Sequence, residues 1–235
     1  MALPRINTPT YEFTLPSTQE KIKYRPFLVK EEKVLLLAME SEDETQINNS
    51  VIDIVRECTF GVVDGMKAPT YDMEYAFLRV RAKSVGETVE LQVTAPDDGV
   101  TKVPYKLNLE DVNVQMTLGH EDTIKLNDEI TVTMKHPTMG MISAGTESGS
   151  ETESIFAMIG LCIESITFGN DTYNRVDITK EEINTFIGDM SQDMFQKIQD
   201  FFDTMPKLRH VIEFTNPKTK KKNEMLLEGL GDFFT

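Results

Sequence analysis

Residues 22–39 read IKYRPFLVKEEKVLLLAM, and this stretch passes from the pattern of a strand to that of a helix. Ile22 and Tyr24 alternate with basic residues, as in a half-buried strand. A charged run then supplies good helix formers, and six consecutive apolar residues follow it at 34–39. Because such a run leaves a helix little polar face, we expect its second half to be packed on several sides. A charge at Leu36 should then unfold the protein.

Residues 1–85 predict a β-hairpin followed by three helices. Two alternating stretches on either side of a Pro-Ser-Thr turn are typical of a hairpin. Ser41 and Glu44 have the spacing of a capping box and are expected to begin the second helix. Either Thr70 or Asp72 is expected to cap the third helix.

The rest of the chain divides into three segments with different sequence patterns. Five short alternating stretches predict an antiparallel β region over residues 86–136. Residues 137–153 predict a flexible loop, and their second half, rich in Gly, Ser and Thr, is the expected internal hinge. Residues 154–235 predict C-terminal helices, one with an apolar stripe from Ile155 to Ile166, and a closing basic hairpin. The expected fold class is α+β, with helical segments flanking a central antiparallel β region and with terminal β-hairpins.

Composition limits the class of protein. With 40% hydrophobic and 27% charged residues, the chain resembles an ordinary soluble globular protein. It has no apolar run near the ~18 residues of a membrane span and no signal-peptide pattern. We therefore expect no membrane partner and a location in the cytoplasm of the cell that makes it. The formal charge of −15 argues against nucleic-acid binding, which needs a basic face. Cys58 and Cys162 lie in apolar helical contexts, which favours free buried thiols over a disulfide.

Residue patterns that carry enzymatic chemistry are missing from the sequence. It has no glycine-rich nucleotide loop, no His-Glu-x-x-His and no Gly-x-Ser-x-Gly. His120, His136 and His210 are scattered in strand or turn contexts, so we expect them at the surface or at sheet edges. The acidic pairs at 97–98 and 121–122 lack the spacing of a calcium loop. We expect no enzymatic activity, no cofactor and no bound metal.

Three longer blocks carry a family resemblance. They are FTLPSTQEKIKYRPFLVKEEKVLLLAMES at 13–41, RAKSVGE at 81–87 and EFTNPKTKKKNEMLLEGLGDFF at 213–234. Together they resemble the baseplate hub subunit family of T-even-like contractile-tailed bacteriophages, from about residue 8 to the C-terminus. The resemblance implies a non-enzymatic structural or assembly protein whose partners are other hub or tail proteins. Two versions remain open: a subunit that stays in the virion, and a transient chaperone for another hub or tape-measure protein.

Two predicted hairpins share a turn pattern. ELQVTAP at 90–96 and IEFTNP at 212–217 each consist of a strand, Thr, one further residue and Pro. They are either two ordinary hairpins or a pair of related zinc-ribbon knuckles. The resemblance implies cysteines at such turns in some relatives, which would bind zinc. The matching positions here carry no thiol: Ala95, Asp98, Asn216 and Thr219. We expect hydrogen bonds to hold these turns instead, and a metal-less cellular adaptor derived from a zinc ribbon is the alternative function.

Charge is divided unevenly along the C-terminal third. Residues 149–205 carry eleven acidic and three basic side chains, a formal net of −8, whereas residues 207–222 carry six basic and one acidic, a net of +5. The basic residues are the candidate partner-binding set: Lys207, Arg209, Lys218, Lys220, Lys221 and Lys222. One hypothesis is that the two segments are complementary contact surfaces, for another tail protein or a second copy of this chain. The other is a solvated hairpin tip beside acidic helices.

Overall fold

The computed structural model describes residues 7–145 and 150–233, which form two compact units. Unit 1 holds the described residues up to Gln115 together with those from Lys207 onward. Unit 2 spans Met116–Pro206. Each unit combines helices with small antiparallel sheets, which confirms the α+β class.

The elements follow one another in this order: β1 (Tyr11–Thr14), β2 (Lys21–Tyr24), α1 (Val29–Glu40), α2 (Glu44–Cys58), α3 (Thr70–Ser84), β3 (Thr88–Thr94), β4 (Lys102–Asn108), β5 (Asn113–Gln115), β6 (Thr123–Lys125), β7 (Ile130–Met134), α4 (Met139–Gly145), α5 (Glu151–Cys162), β8 (Ile163–Phe168), β9 (Asp171–Asn174), a 3-10 turn (Arg175–Asp177), α6 (Lys180–Gly188), α7 (Gln192–Thr204), β10 (Lys207–Thr215), β11 (Lys222–Glu228) and α8 (Gly229–Asp232).

The hairpin and the three helices predicted for the N-terminal segment are present in unit 1. β1 pairs with β2 so that Phe13 lies opposite Ile22, and both side chains are buried. The backbone N–H of Arg25 donates to the carbonyl of Cys58 at 2.9 Å. This hydrogen bond joins the segment between β2 and α1 to the last residue of α2.

The predicted burial of α1 is wrong. The helix forms, but Val34, Leu36, Leu37 and Met39 are each about half exposed, while Ala38 is buried. One helical turn takes 3.6 residues, so six consecutive apolar residues point in every direction around the axis. The contact with α2 covers one side of α1 only. Most of the run therefore faces solvent.

Two predicted helix caps are also wrong. Asp43, rather than Ser41, begins α2, and its carboxylate accepts hydrogen bonds from the backbone N–H groups of Thr45 and Gln46. Pro69, rather than Thr70 or Asp72, precedes α3. Asp72 is fully buried and accepts hydrogen bonds from the backbone N–H and the hydroxyl of Ser17, at the turn of the N-terminal hairpin. In both places a better-placed acceptor or a tertiary contact overrides the local spacing.

The C-terminal hairpin completes unit 1. β10 pairs with β11 and, on its other edge, with β5, so that Lys207 lies opposite Gln115. β3 and β4 form a separate hairpin. These strands and α3 enclose one apolar core, whose buried members include Leu78, Leu91, Leu109, Leu208, Ile212 and Phe233. The five strands predicted between 86 and 136 exist, but they are divided among three sheets.

Unit 2 is built on the four-stranded antiparallel sheet β6-β7-β8-β9. Ile163 and Ile166 lie on β8, so the prediction that they continue the helical stripe is wrong. A register shift between Thr133 and Met134 in the pairing of β7 with β8 marks a local irregularity. Both isoleucines are buried in the same apolar cluster as Val132 and Met134.

Two helices border the predicted hinge. α4 occupies the first part of the segment 137–153, and the hydroxyl of Ser150 accepts the backbone N–H of Glu153 to cap α5. The part of the expected hinge at residues 146–149 lies outside the described residues.

Candidate functional site

The exposed side of α1 is the first candidate site, and we call it the α1 apolar face. It consists of Val29, Leu36, Leu37 and Met39. Leu36 lies two helical turns after Val29 and one turn before Met39, so these three share a side of the helix. Their exposed fractions are 53%, 81% and 46%. Single exposed apolar side chains are common on soluble proteins, but a contiguous group on one helix marks an interaction surface.

An ion pair fixes the start of α1. The Arg25 guanidinium contacts both carboxylate oxygens of Glu31, at 2.8 and 2.9 Å, and the same carboxylate accepts the backbone N–H of Leu28 at 2.6 Å. The hydrogen bond from Arg25 holds the pKa of Glu31 below its usual range. Glu31 is buried, so a charged and well-bonded pair anchors the helix. The α1 apolar face is therefore held in position before any partner arrives.

The six candidate basic residues do not share one environment. Lys207 and Arg209, on β10, both pair with Glu228, at 3.5 and 2.6 Å. Lys218, Lys220 and Lys221 lie in the exposed turn between β10 and β11, and the exposed Lys222 is the first residue of β11. The structure thus places four lysines together in and beside one turn and engages the other two cations within the hairpin.

The turns of the two predicted knuckles contact each other. The Asn216 side-chain amide donates to the Asp97 carboxylate at 2.8 Å, and the backbone N–H of Asp97 donates to Asn223 at 3.1 Å. The hydroxyl of Thr219 donates to the same carboxylate at 2.5 Å. The two turns also match internally, because Gly99 donates to the carbonyl of Ala95 as Lys220 does to that of Asn216. Hydrogen bonds hold these two turns, as predicted.

Both cysteines are buried free thiols, as predicted. Burial raises the pKa of Cys58 and of Cys162 to about 12. Both remain protonated near neutral pH, and a protonated, buried thiol is a poor nucleophile.

Two of the three histidines lie together, contrary to the expectation of scattered surface positions. His120 and His136 approach each other with their Nε2 atoms 2.8 Å apart, and their side chains are 10% and 16% exposed. An oxygen of Asp122 lies 3.6 Å and 3.7 Å from these two atoms. The pairing of two neighbouring strands could have predicted this cluster from the sequence. β6 pairs with β7 so that Thr123 lies opposite Thr133. Extending that register by three residues places position 120 opposite 136.

Comparison with known proteins assigns the chain to a family. Residues 8–235 match the family described as "T4 bacteriophage base plate protein", which covers nearly the whole chain. This chain therefore belongs to the T4 bacteriophage base plate protein family and is a structural protein of a phage baseplate. No curated protein and no solved structure matches it. Within the described residues, no helix has the length and apolar character needed to cross a membrane.

Proposed function

We propose that this chain is a non-enzymatic subunit of the baseplate hub that acts by binding other hub or tail proteins. Membership of the baseplate family supports a role in the tail. The single observation that supports direct protein binding is the α1 apolar face, where Val29, Leu36 and Met39 lie on one side of a helix that Arg25 and Glu31 hold in place. The partner would accept this helix in an apolar groove, as amphipathic helices are commonly bound.

The α1 apolar face also explains why such a chain would need its partner. Leaving large apolar side chains in water costs about 25 cal/mol for each Å² that a partner could cover. The face is already ordered, so binding would lose little conformational entropy in α1. Both features favour association over a free monomer.

The test compares two variants in binding to the other hub proteins of the same phage, each expressed and purified separately. Leu36→Ser combined with Leu37→Ser should abolish binding and leave the circular dichroism spectrum unchanged, since both side chains are half exposed. Val176→Ser is the matched control, because Val176 is an apolar residue of unit 2 with 92% exposure. Equal binding by both variants would place the interface elsewhere.

The lysine tip of the C-terminal hairpin is proposed as a second, electrostatic contact. Lys218, Lys220, Lys221 and Lys222 present four exposed cations in and beside one turn, whereas Lys207 and Arg209 would contribute only to the charge around it. An acidic partner surface would be attracted at low salt and released at high salt. That surface could belong to another hub protein or to a second copy of this chain.

Replacing Lys220, Lys221 and Lys222 together by Ser tests this contact. We expect weaker partner binding at low salt, little difference at high salt, and a melting temperature within a degree or two of the wild type, as for other surface substitutions. Analytical ultracentrifugation of the chain alone at both salt concentrations detects self-association. Equal partner recovery by wild type and variant in both salts would mean that the tip is only solvated.

The same contacts would serve a resident hub subunit or a transient chaperone for another hub or tape-measure protein. In either case we propose that the chain meets its partners in the host cytoplasm during assembly. Quantitative mass spectrometry of purified particles distinguishes the two: recovery in proportion to known baseplate proteins identifies a resident subunit, and absence identifies a chaperone.

A further inference from the structure

We propose that His120, Asp122 and His136 form a binding site for one divalent transition-metal ion, with Zn²⁺ as the expected occupant. The three side chains each offer one ligand atom, and these atoms lie within 4.8 Å of one another. Imidazole and carboxylate are both common zinc ligands. The expectation that the protein binds no metal rested partly on the thiol-free turns of unit 1. It rested also on histidines expected apart at the surface, and the present proposal departs from it because His120 and His136 lie together.

The distances among the three ligand atoms suit a metal ion. They are 2.8 Å between the two Nε2 atoms, and 3.6 Å and 3.7 Å from these atoms to the Asp122 oxygen. The point equidistant from the corners of such a triangle lies about 2.0 Å from each, and a position about 0.5 Å above its plane lies about 2.1 Å from each. Zinc–nitrogen and zinc–oxygen bonds have lengths of about 2.0–2.2 Å. Metal binding would need the two Nε2 atoms to separate by only about half an ångström.

A neighbouring hydroxyl prepares His120 as a ligand. Its Nδ1 lies 3.0 Å from the hydroxyl of Thr204, and that hydroxyl donates its own proton to the carbonyl of Asp200 at 2.7 Å. Thr204 can therefore only accept from His120, so the ring proton sits on Nδ1 and the Nε2 lone pair is available. Such an outer hydrogen bond is the usual support of a metal-binding histidine. Before metal binds, the Nε2–H of His136 donates to His120. To bind metal through Nε2, His136 must adopt its other neutral tautomer, in which the ring proton is on Nδ1.

An aromatic side chain of α7 packs against both histidine rings. The ring of Phe201 packs against His120 and His136, with centroids 4.9 and 5.6 Å apart. Three protein ligands leave a fourth tetrahedral position, which water or a partner's side chain can fill. The ion would join the ends of the β6–β7 hairpin and stabilise unit 2.

The experiment uses the full chain after treatment with a chelator. Titration with Zn²⁺ alone should give one equivalent bound per chain with a Kd in the micromolar range or below, and Co²⁺ should give the intense visible absorption of a tetrahedral site. Long-range ¹H–¹⁵N spectra should show that the Nε2 resonances of His120 and His136 shift while those of His210 do not.

Variants separate this site from chance binding. Asp122→Asn and His136→Asn should each weaken binding at least tenfold, and Thr204→Val should weaken it about tenfold, as loss of an outer hydrogen bond does. The side chain of Asp122 is 59% exposed, so Asp122→Asn keeps the test valid if the histidine variant does not fold. His210→Asn is the control and should bind as the wild type does. Binding no tighter than millimolar, equal binding by all variants, or the same loss in His210→Asn would overturn the proposal.

Discussion

Asn216→Ala tests whether the hydrogen bonds between the turns of the two hairpins stabilise unit 1. Asn216 is fully buried. Its side-chain oxygen accepts the backbone N–H groups of Lys218 and Thr219, at 2.8 and 3.3 Å, and its amide nitrogen donates to Asp97 at 2.8 Å. Alanine removes all three hydrogen bonds at once.

The expected loss of stability follows from these contacts. Each hydrogen bond contributes about 1 kcal/mol net, and the 3.3 Å contact less. Lys218, Thr219 and Asp97 lie near solvent, so water would satisfy part of what Asn216 leaves unpaired. We expect the free energy of unfolding to fall by about 2 kcal/mol, or the melting temperature by about 4–8 °C for a chain of this size.

Urea unfolding followed by tyrosine fluorescence measures this change in the relevant unit. The chain has no Trp, and five of its six tyrosines lie in unit 1, at positions 11, 24, 71, 75 and 105. Lys221→Ala is the control, since it removes only an exposed side chain of the same turn and should change stability by less than about 0.5 kcal/mol. A loss in Asn216→Ala as small as that of the control would refute the reasoning.

Asn216→Asp sharpens the test because it keeps the acceptor oxygen and replaces only the donor. Its carboxylate would face that of Asp97, and ionising both carboxyl groups at so short a distance costs additional free energy. The pKa of the pair is then raised in the folded state, so the destabilisation is present above that pKa and decreases as the pH falls. We expect Asn216→Asp to be less stable than Asn216→Ala at pH 7. The difference in unfolding free energy between the two variants should become smaller toward about pH 4, near the ordinary pKa of a carboxyl.

Three further predictions concern other parts of the chain. Leu36→Asp should change the unfolding free energy by about 0.5 kcal/mol or less in urea titrations, because Leu36 is 53% exposed; unfolding would instead mean that α1 is packed on several sides. Gly160→Ala should destabilise unit 2 by about 1–3 kcal/mol, measured by circular dichroism, because its Cβ would lie 2.7 Å from Ile183; an unchanged melt would refute that packing. Burial raises the pKa of Glu74 to about 7 in the folded protein. The charged carboxylate therefore lowers the stability of the fold fully above that pH, and this loss disappears below about pH 4.3, the pKa of Glu in the unfolded chain. Glu74→Gln should therefore be about 1–2 kcal/mol more stable than wild type at pH 8, after allowance for solvent screening, and equal to it near pH 4; equal stability at both pH values would contradict this shift.

Short-range patterns in the sequence predicted most of the local structure. The alternation in β1 and β2, the apolar periodicity of α3 and the strand-turn-strand pattern around Pro96 and Pro217 are short-range signals, and each is found in the structure. The absence of thiols at the four matching turn positions also predicted that hydrogen bonds would hold these turns, and such bonds are present. Such signals survive because they depend on residues within a few positions of one another.

Packing between distant segments sets which surfaces are covered. The apolar run of α1 predicted burial, but burial depends on how many neighbours a helix has, and α2 covers only one side. Likewise, nothing within β5 or β10 specifies their pairing, since Gln115 and Lys207 lie 92 positions apart along the chain.

The histidine cluster combines both kinds of information. Extending the register of the β6–β7 hairpin by three residues places His120 opposite His136, and this much is local. The support of Thr204 and the ring of Phe201 come from α7, more than 60 residues further along the chain. A sequence can indicate which residues of one hairpin meet. Only packing between distant segments decides whether they are buried, how their protons are arranged and hence what they can bind.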